Sequence, residues 1–233
     1  MKPLPLLLLV LTLAPPLRAA DVSPATSAPA AASAARDLSS PKAAAKSLFN
    51  AISAGDRDGI RAALYASNGA QAELADAMAD FIAANKRLGD AARAQYGKAG
   101  DPIGRGMLDP MDLSRIDSAT VKQSAEDAAT LEVPSQPRPM SFRRQDGQWK
   151  LVVTDFGGAQ PQNIARQTKL VSMLAGAVNE CAADVAAGKF ATPDAATAAI
   201  QSRLHGVLLA FAHPATTRAA TQPATAPGAT GGR

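Results

Sequence analysis

Cysteine, histidine and aromatic residues are scarce in this chain, and each shortage removes a class of explanation. The single cysteine, Cys181, has no partner within the chain, so no disulfide framework holds the fold. No cysteine stands near the N-terminus for lipid attachment. The two histidines, His205 and His213, have no carboxylate at ligand spacing and do not make a metal site. Aromatics are only 4% of the residues, so burial energy must come from Leu, Val, Ile and Met. Each contributes about 1.5 to 3 kcal/mol when fully buried. Charge excess is also missing. Without Lys2 and Arg18, which belong to a leader-like segment, the 24 basic residues fall to 22 against 20 acidic ones, a net charge of +2. That balance gives no reason to invoke nucleic acid.

A long apolar run is absent as well. The leucine-rich stretch up to Leu13 is shorter than the roughly 20 residues a membrane-spanning helix needs, and Pro5, Pro15 and Pro16 interrupt it. With Lys2 before it and Leu17-Arg18-Ala19-Ala20 behind it, the stretch has the pattern of a secretory signal peptide cleaved after Ala19. The expected product is a soluble protein in the periplasm or outside the cell. Residues 20–38 and 214–233 are rich in Ala, Ser, Thr and Pro and poor in large apolar side chains. Both read as disordered, leaving a single domain over 39–213.

What is present is organised around Met140 to Thr154. Asp146-Gly147 is the strongest short-range hairpin signal, because both central residues of a type I′ turn need positive φ. Counting outward pairs Arg144 with Trp149, Phe142 with Leu151 and Met140 with Val153. One face of the hairpin is then apolar, and the other carries Ser141, Arg143, Lys150, Val152 and Thr154. An earlier pair of alternating runs flanks Glu126-Asp127. Setting Val121 opposite Leu131 and Ala119 opposite Val133 calls for an odd loop such as Ala125-Glu126-Asp127, with a bulge, rather than a two-residue turn at Glu126-Asp127. Three prolines, Pro134, Pro137 and Pro139, make the next connection stiff.

Helices surround this meander. Ser40-Pro41 marks a helix start, with Ala45, Leu48, Phe49 and Ile52 at helical spacing and Gly55 at its end. Asp56 caps a shorter helix that carries Ile60, Leu64 and Tyr65 inward. A long helix from about Ala70 to Tyr96 aligns Leu74, Met78, Phe81, Ile82, Asn85 and Leu88. The loop from Asp101 to Ser114 is apolar enough, through Ile103, Met107, Leu108, Met111 and Leu113, to lie on the domain. Beyond the sheet, a helix over about Pro161 to Ala187 carries Ile164, Leu174, Val178, Cys181 and Val185 on one stripe. Another begins with Thr192-Pro193 and carries Ile200, Leu204, Val207, Leu208 and Phe211. Both stripes need partners.

Taken together, the pattern is an α+β domain: a small curved antiparallel sheet of about four strands packed against helices. The segment Ser-Pro-Lys-Ala-Ala-Ala-Lys-Ser-Leu-Phe-Asn-Ala-Ile-Ser-Ala-Gly-Asp starting at Ser40, and Gly-Gln-Trp-Lys-Leu-Val starting at Gly147, resemble the nuclear transport factor 2-like (SnoaL-like) superfamily over residues 40–154. The resemblance implies a cone-like sheet wrapped around a pocket. Some members of that superfamily use the pocket for isomerase or dehydratase chemistry and many for binding alone. The two C-terminal helices are additions to it.

Acid–base work in such a pocket needs titratable groups on the apolar face. There the register places Gln123 and Arg144, and Arg144 is expected to stack on Trp149. Tyr65, Asn85 and Tyr96 complete the pocket candidates. No catalytic residue, cofactor or metal is assigned. Lys122, Arg143 and Lys150 form a mild basic stripe on the outer sheet face, a candidate surface for an envelope protein. The expectation is a non-catalytic binding or scaffold domain, for a small apolar ligand or an envelope protein. A pocket enzyme is the alternative.

Overall fold

The computed structural model describes residues 36–104, 113–134, 136, 138–157 and 161–212. The leader, most of the first linker, the C-terminal tail, His213 and the loop residues Met107, Leu108 and Met111 lie outside the described residues.

Local chemistry explains how the first helices begin. In α1 (Pro41–Ala54) the Ser40 hydroxyl accepts from the Ala43 amide at 3.2 Å, and Gly55 closes the helix with φ at 69°. In α2 (Arg57–Ala63) the Asp56 carboxylate accepts from the Gly59 amide at 2.9 Å. α3 (Gly69–Tyr96) is capped by Asn68, whose side chain accepts from the Gln71 amide at 3.0 Å. Short turns α4 (Asp101–Gly104) and α5 (Ser114–Asp117) follow.

The meander consists of β2 (Thr120–Ala125), β3 (Ala128–Glu132), β4 (Met140–Gln145) and β5 (Gln148–Val152). Its registers agree with the pattern of the sequence. Arg144 faces Trp149 and Phe142 faces Leu151, with φ at 52° for Asp146 and 77° for Gly147. Val121 faces Leu131 as expected, but the loop is the two-residue turn Glu126-Asp127, with Ala125 facing Ala128, and the odd residue is taken up by a register shift between Gln123 and Ala125.

Three details of the sheet differ from expectation. Leu64 and Tyr65 leave the second helix and form β1, which pairs parallel with β5 and makes a five-stranded mixed sheet in the order β1-β5-β4-β3-β2. Leu64 is buried either way. What decides its conformation is the free edge of β5, a partner that local propensity cannot see. Met140 pairs with Leu131 and not with Val153, because the chain turns into α6 (Val153–Gly157) right after β5. Finally, β2 is exposed along its whole length, Val121 included at 39%. The covering helix α1 lies over β3 and β5, so the edge strand projects past it.

Two long helices complete the chain. α7 (Ile164–Ala186) stops at Gly188, whose φ is 67°, and α8 (Pro193–Ala212) is capped by the Thr192 hydroxyl, 3.2 Å from the Ala195 amide. No helix among the described residues is long and apolar enough to cross a membrane.

The interior has two parts. The first joins Leu48, Ile60, Leu64, Leu74, Leu131, Phe142, Trp149 and Leu151, so the sheet packs against α1, α2 and the first half of α3. The second joins Leu88 and Ala92 of α3 with Val178, Cys181 and Val185 of α7 and Ile200 of α8. α3 is the shared spine. Trp149 is buried at 6% exposure, as its place on the apolar face requires. Leu38, assigned from composition to the linker, is also buried, at 6%, and belongs to the first cluster. A lone leucine at the edge of an alanine-rich stretch carries no periodicity, which is why the boundary fell too late.

Candidate functional site

The five residues named as pocket candidates do not converge. Leu64 faces the core beside Leu151, so Tyr65, the next residue on the strand, lies on the opposite side of the sheet beside Val152, half-buried. Gln123 is exposed on β2, at the other edge. Four strand spacings separate those edges, about 19 Å. Asn85 donates from Nδ2 to the Phe81 carbonyl at 2.8 Å, within its own helix. Tyr96 donates from its hydroxyl to the Phe190 carbonyl at 3.0 Å, tying the end of α3 to the loop before α8. Both tyrosine and asparagine here do structural work. Arg144 is exposed, with Nε 3.5 Å from the Gly147 carbonyl. It does not stack on Trp149. Among the described residues the cation found over a ring is Arg166, 5.1 Å from the centroid of Phe211.

The basic stripe on the outer sheet face is largely neutralised. Lys122 pairs with Glu132 at 2.7 Å across β2 and β3, and Arg143 is 3.6 Å from Asp127. Lys150, beside Arg143 in the register, is half-buried and has no ionic partner among the described residues. One uncompensated cation among paired ones is a weak electrostatic feature.

Charge is concentrated elsewhere in two ladders. Arg57 pairs with Asp80, and Arg61 with Asp76 at 2.7 Å, joining α2 to α3. Between α7 and α8, Arg203 donates to Asp184 at 3.0 Å and lies 3.7 Å from Glu180, and Lys189 reaches Asp184 at 2.6 Å. Hydrogen bonds from Lys189 and then Arg203 hold the Asp184 carboxyl below the usual carboxylate range. Cys181 lies beneath, 3.8 Å from Arg203 Nη1, and burial pushes its thiol up. A buried, protonated thiol is a poor nucleophile.

Among the described residues no polar or charged residue is buried, and no group of His, Cys, Asp and Glu is placed to hold a metal. His205 is exposed on α8.

The surface does carry one unusual feature. Leu208 and Leu209 on α8 are 47% and 49% exposed. The apolar stripe of this helix was expected to be covered to its end, yet burial stops at Ile200, and Leu204, Val207 and Phe211 are only half-covered. α8 packs on α7, and its buried residues, Ala196 and Ile200, both lie in its first half. Leu209 lies off the stripe, and no charged residue follows Arg203 up to Ala212. Those two facts were the available signal in the sequence.

Compared with protein-family models, with curated proteins and with solved structures, the chain matches none.

Proposed function

We propose that this chain is an exported α+β domain of the nuclear transport factor 2-like type that works by binding, and that the end of the α7–α8 hairpin is its binding surface. The observation that carries this reading is the pair of half-exposed leucines, Leu208 and Leu209, beside Val207 and Phe211. Large apolar side chains grouped on a surface mark a site of association. The leader-like segment before Ala20 supports export, and the helix-then-meander order supports the family type. On this reading the sheet is the rigid platform for the hairpin, with α3 as the link.

A photo-reactive residue placed at position 208 in the producing cell should form adducts, and the same residue at position 150 on the outer sheet face should not. Adducts at position 150 alone would return the binding surface to the sheet and overturn the assignment. Export is tested on the same sample: the chain should be recovered from the envelope fraction beginning at Ala20. A full-length chain in the cytoplasm would sink that part of the reading.

A further inference from the structure

α7 and α8 run antiparallel, and Arg166 over Phe211 fixes which ends meet. Residues 164–178 of α7 carry Arg166 and Lys169 and no acidic residue. Residues 199–212 of α8 carry Arg203 and His205 and no acidic residue. The carboxylates of the hairpin, Glu180, Asp184 and Asp194, all belong to its other half, and the first two are engaged by Arg203. On the neighbouring α3, Asp76 and Asp80 are held by Arg61 and Arg57, and Glu73 is exposed. From Gly206 to Ala212 there is no polar side chain, while Arg166, Lys169 and His205 are exposed. The hairpin therefore ends in an apolar tip bordered by the cations Arg166 and Lys169.

We infer that this tip docks on an anionic lipid surface, a step that rests on the hairpin being the binding surface. Exposed leucines and a half-covered phenylalanine on a helix suit the boundary between headgroups and acyl chains, into which such side chains enter by about 5 to 10 Å. Arg166 and Lys169 have stems long enough to stay at phosphate level while the leucines go deeper. Anionic headgroups supply the countercharge that neither half-helix contains. A second copy of this chain fits less well. It would bring another Arg166 and Lys169 to the same patch and no carboxylate from its own tip to meet them.

The test is flotation of the chain, as isolated from the producing cell, with vesicles of phosphatidylcholine alone and of phosphatidylcholine mixed with phosphatidylglycerol. The chain should float with the anionic vesicles, stay behind with the neutral ones, and be released by high salt. Reversing charge with Arg166→Glu and Lys169→Glu should weaken binding roughly thirtyfold or more, given the attraction of each cation near such a surface. Leu208→Ser with Leu209→Ser should abolish it. Any leader residues are common to all these chains, so the differences between them report the tip. Unchanged circular dichroism and melting show that the variants remain folded. Equal flotation with neutral vesicles, or variants that float like the parent, would overturn the lipid assignment. A dimer in solution that the leucine substitutions convert to monomer would overturn it in favour of a second copy. If flotation fails but a residue at position 208 captures a protein in the cell, the binding surface stands and the lipid does not. If neither occurs, both fall.

Discussion

The backbone amide of Trp149 donates to the carbonyl of Leu38 at 2.8 Å. In the β4–β5 ladder Trp149 faces Arg144, a position whose amide points away from β4, toward the edge where β1 pairs with Leu151. Leu38 extends the covering of that edge, and its side chain enters the core on the same side. Deleting residues 20–35 should leave the melting temperature within a few degrees, because their composition gives them little to bury. Extending the deletion through Leu38 should cost about 2 to 5 kcal/mol, as for a buried leucine, with the Trp149 amide left unpaired in addition. Denaturant unfolding of the two truncations compares them directly. Equal stabilities would show that Leu38 is an ornament on the fold.

Trp149 itself should be close to indispensable. Truncating a buried aromatic costs about 3 to 5 kcal/mol, against about 5 to 15 for a whole domain. Trp149→Ala is expected to unfold cooperatively at far lower denaturant. The parent should show blue-shifted, quencher-protected emission, since this is the only tryptophan. Emission like that of the free amino acid would contradict its burial.

The two clusters make a kinetic distinction testable. Leu88→Ala removes a side chain that is 4% exposed from the cluster of α3, α7 and α8, at a cost of about 2 to 5 kcal/mol. Hydrogen exchange should then speed up in α7 and α8 more than in β4 and β5, because the damaged cluster can open by itself. Uniform acceleration would mean that the two clusters open only together.

Asp184 gives the hairpin a pH dependence of known sign. Its carboxyl titrates lower when folded than the ordinary value of about 3.9, so its contribution is complete above that value and disappears as pH falls through the folded one. Asp184→Asn should lower the melting temperature by a few degrees at neutral pH. The gap should close in strong acid, once the folded carboxyl is itself protonated. A gap that persists there would mean that the substitution acts through packing.

Gly147 should tolerate bulk but not a change of backbone. A Cβ added there meets nothing within 4 Å, yet its φ of 77° is a conformation that side chains disfavour. Gly147→Ala is expected to cost about 1 kcal/mol, read from urea unfolding, with the hairpin register unchanged. A loss several times larger would point to a slipped register.

Much of the framework is written locally. Ser40, Asp56 and Thr192 cap helices with side-chain oxygens that accept from backbone amides, and Gly55 and Gly188 stop helices because they adopt positive φ. The period-two runs with Asp146-Gly147 between them set the β4–β5 register without help from distant residues. Tertiary structure decided what depends on a partner far along the chain. Leu64 and Tyr65 became a strand because β5 offered them an edge 87 residues away in register, and Leu38 joined the core because Trp149 had an amide to satisfy. The same holds for the surface. Periodicity marks Leu204, Val207, Leu208 and Phe211 as a face that would be buried, but in the folded chain burial along α8 ends at Ile200. Helical spacing states which side of a helix is apolar. It does not state how far along that side the rest of the protein extends.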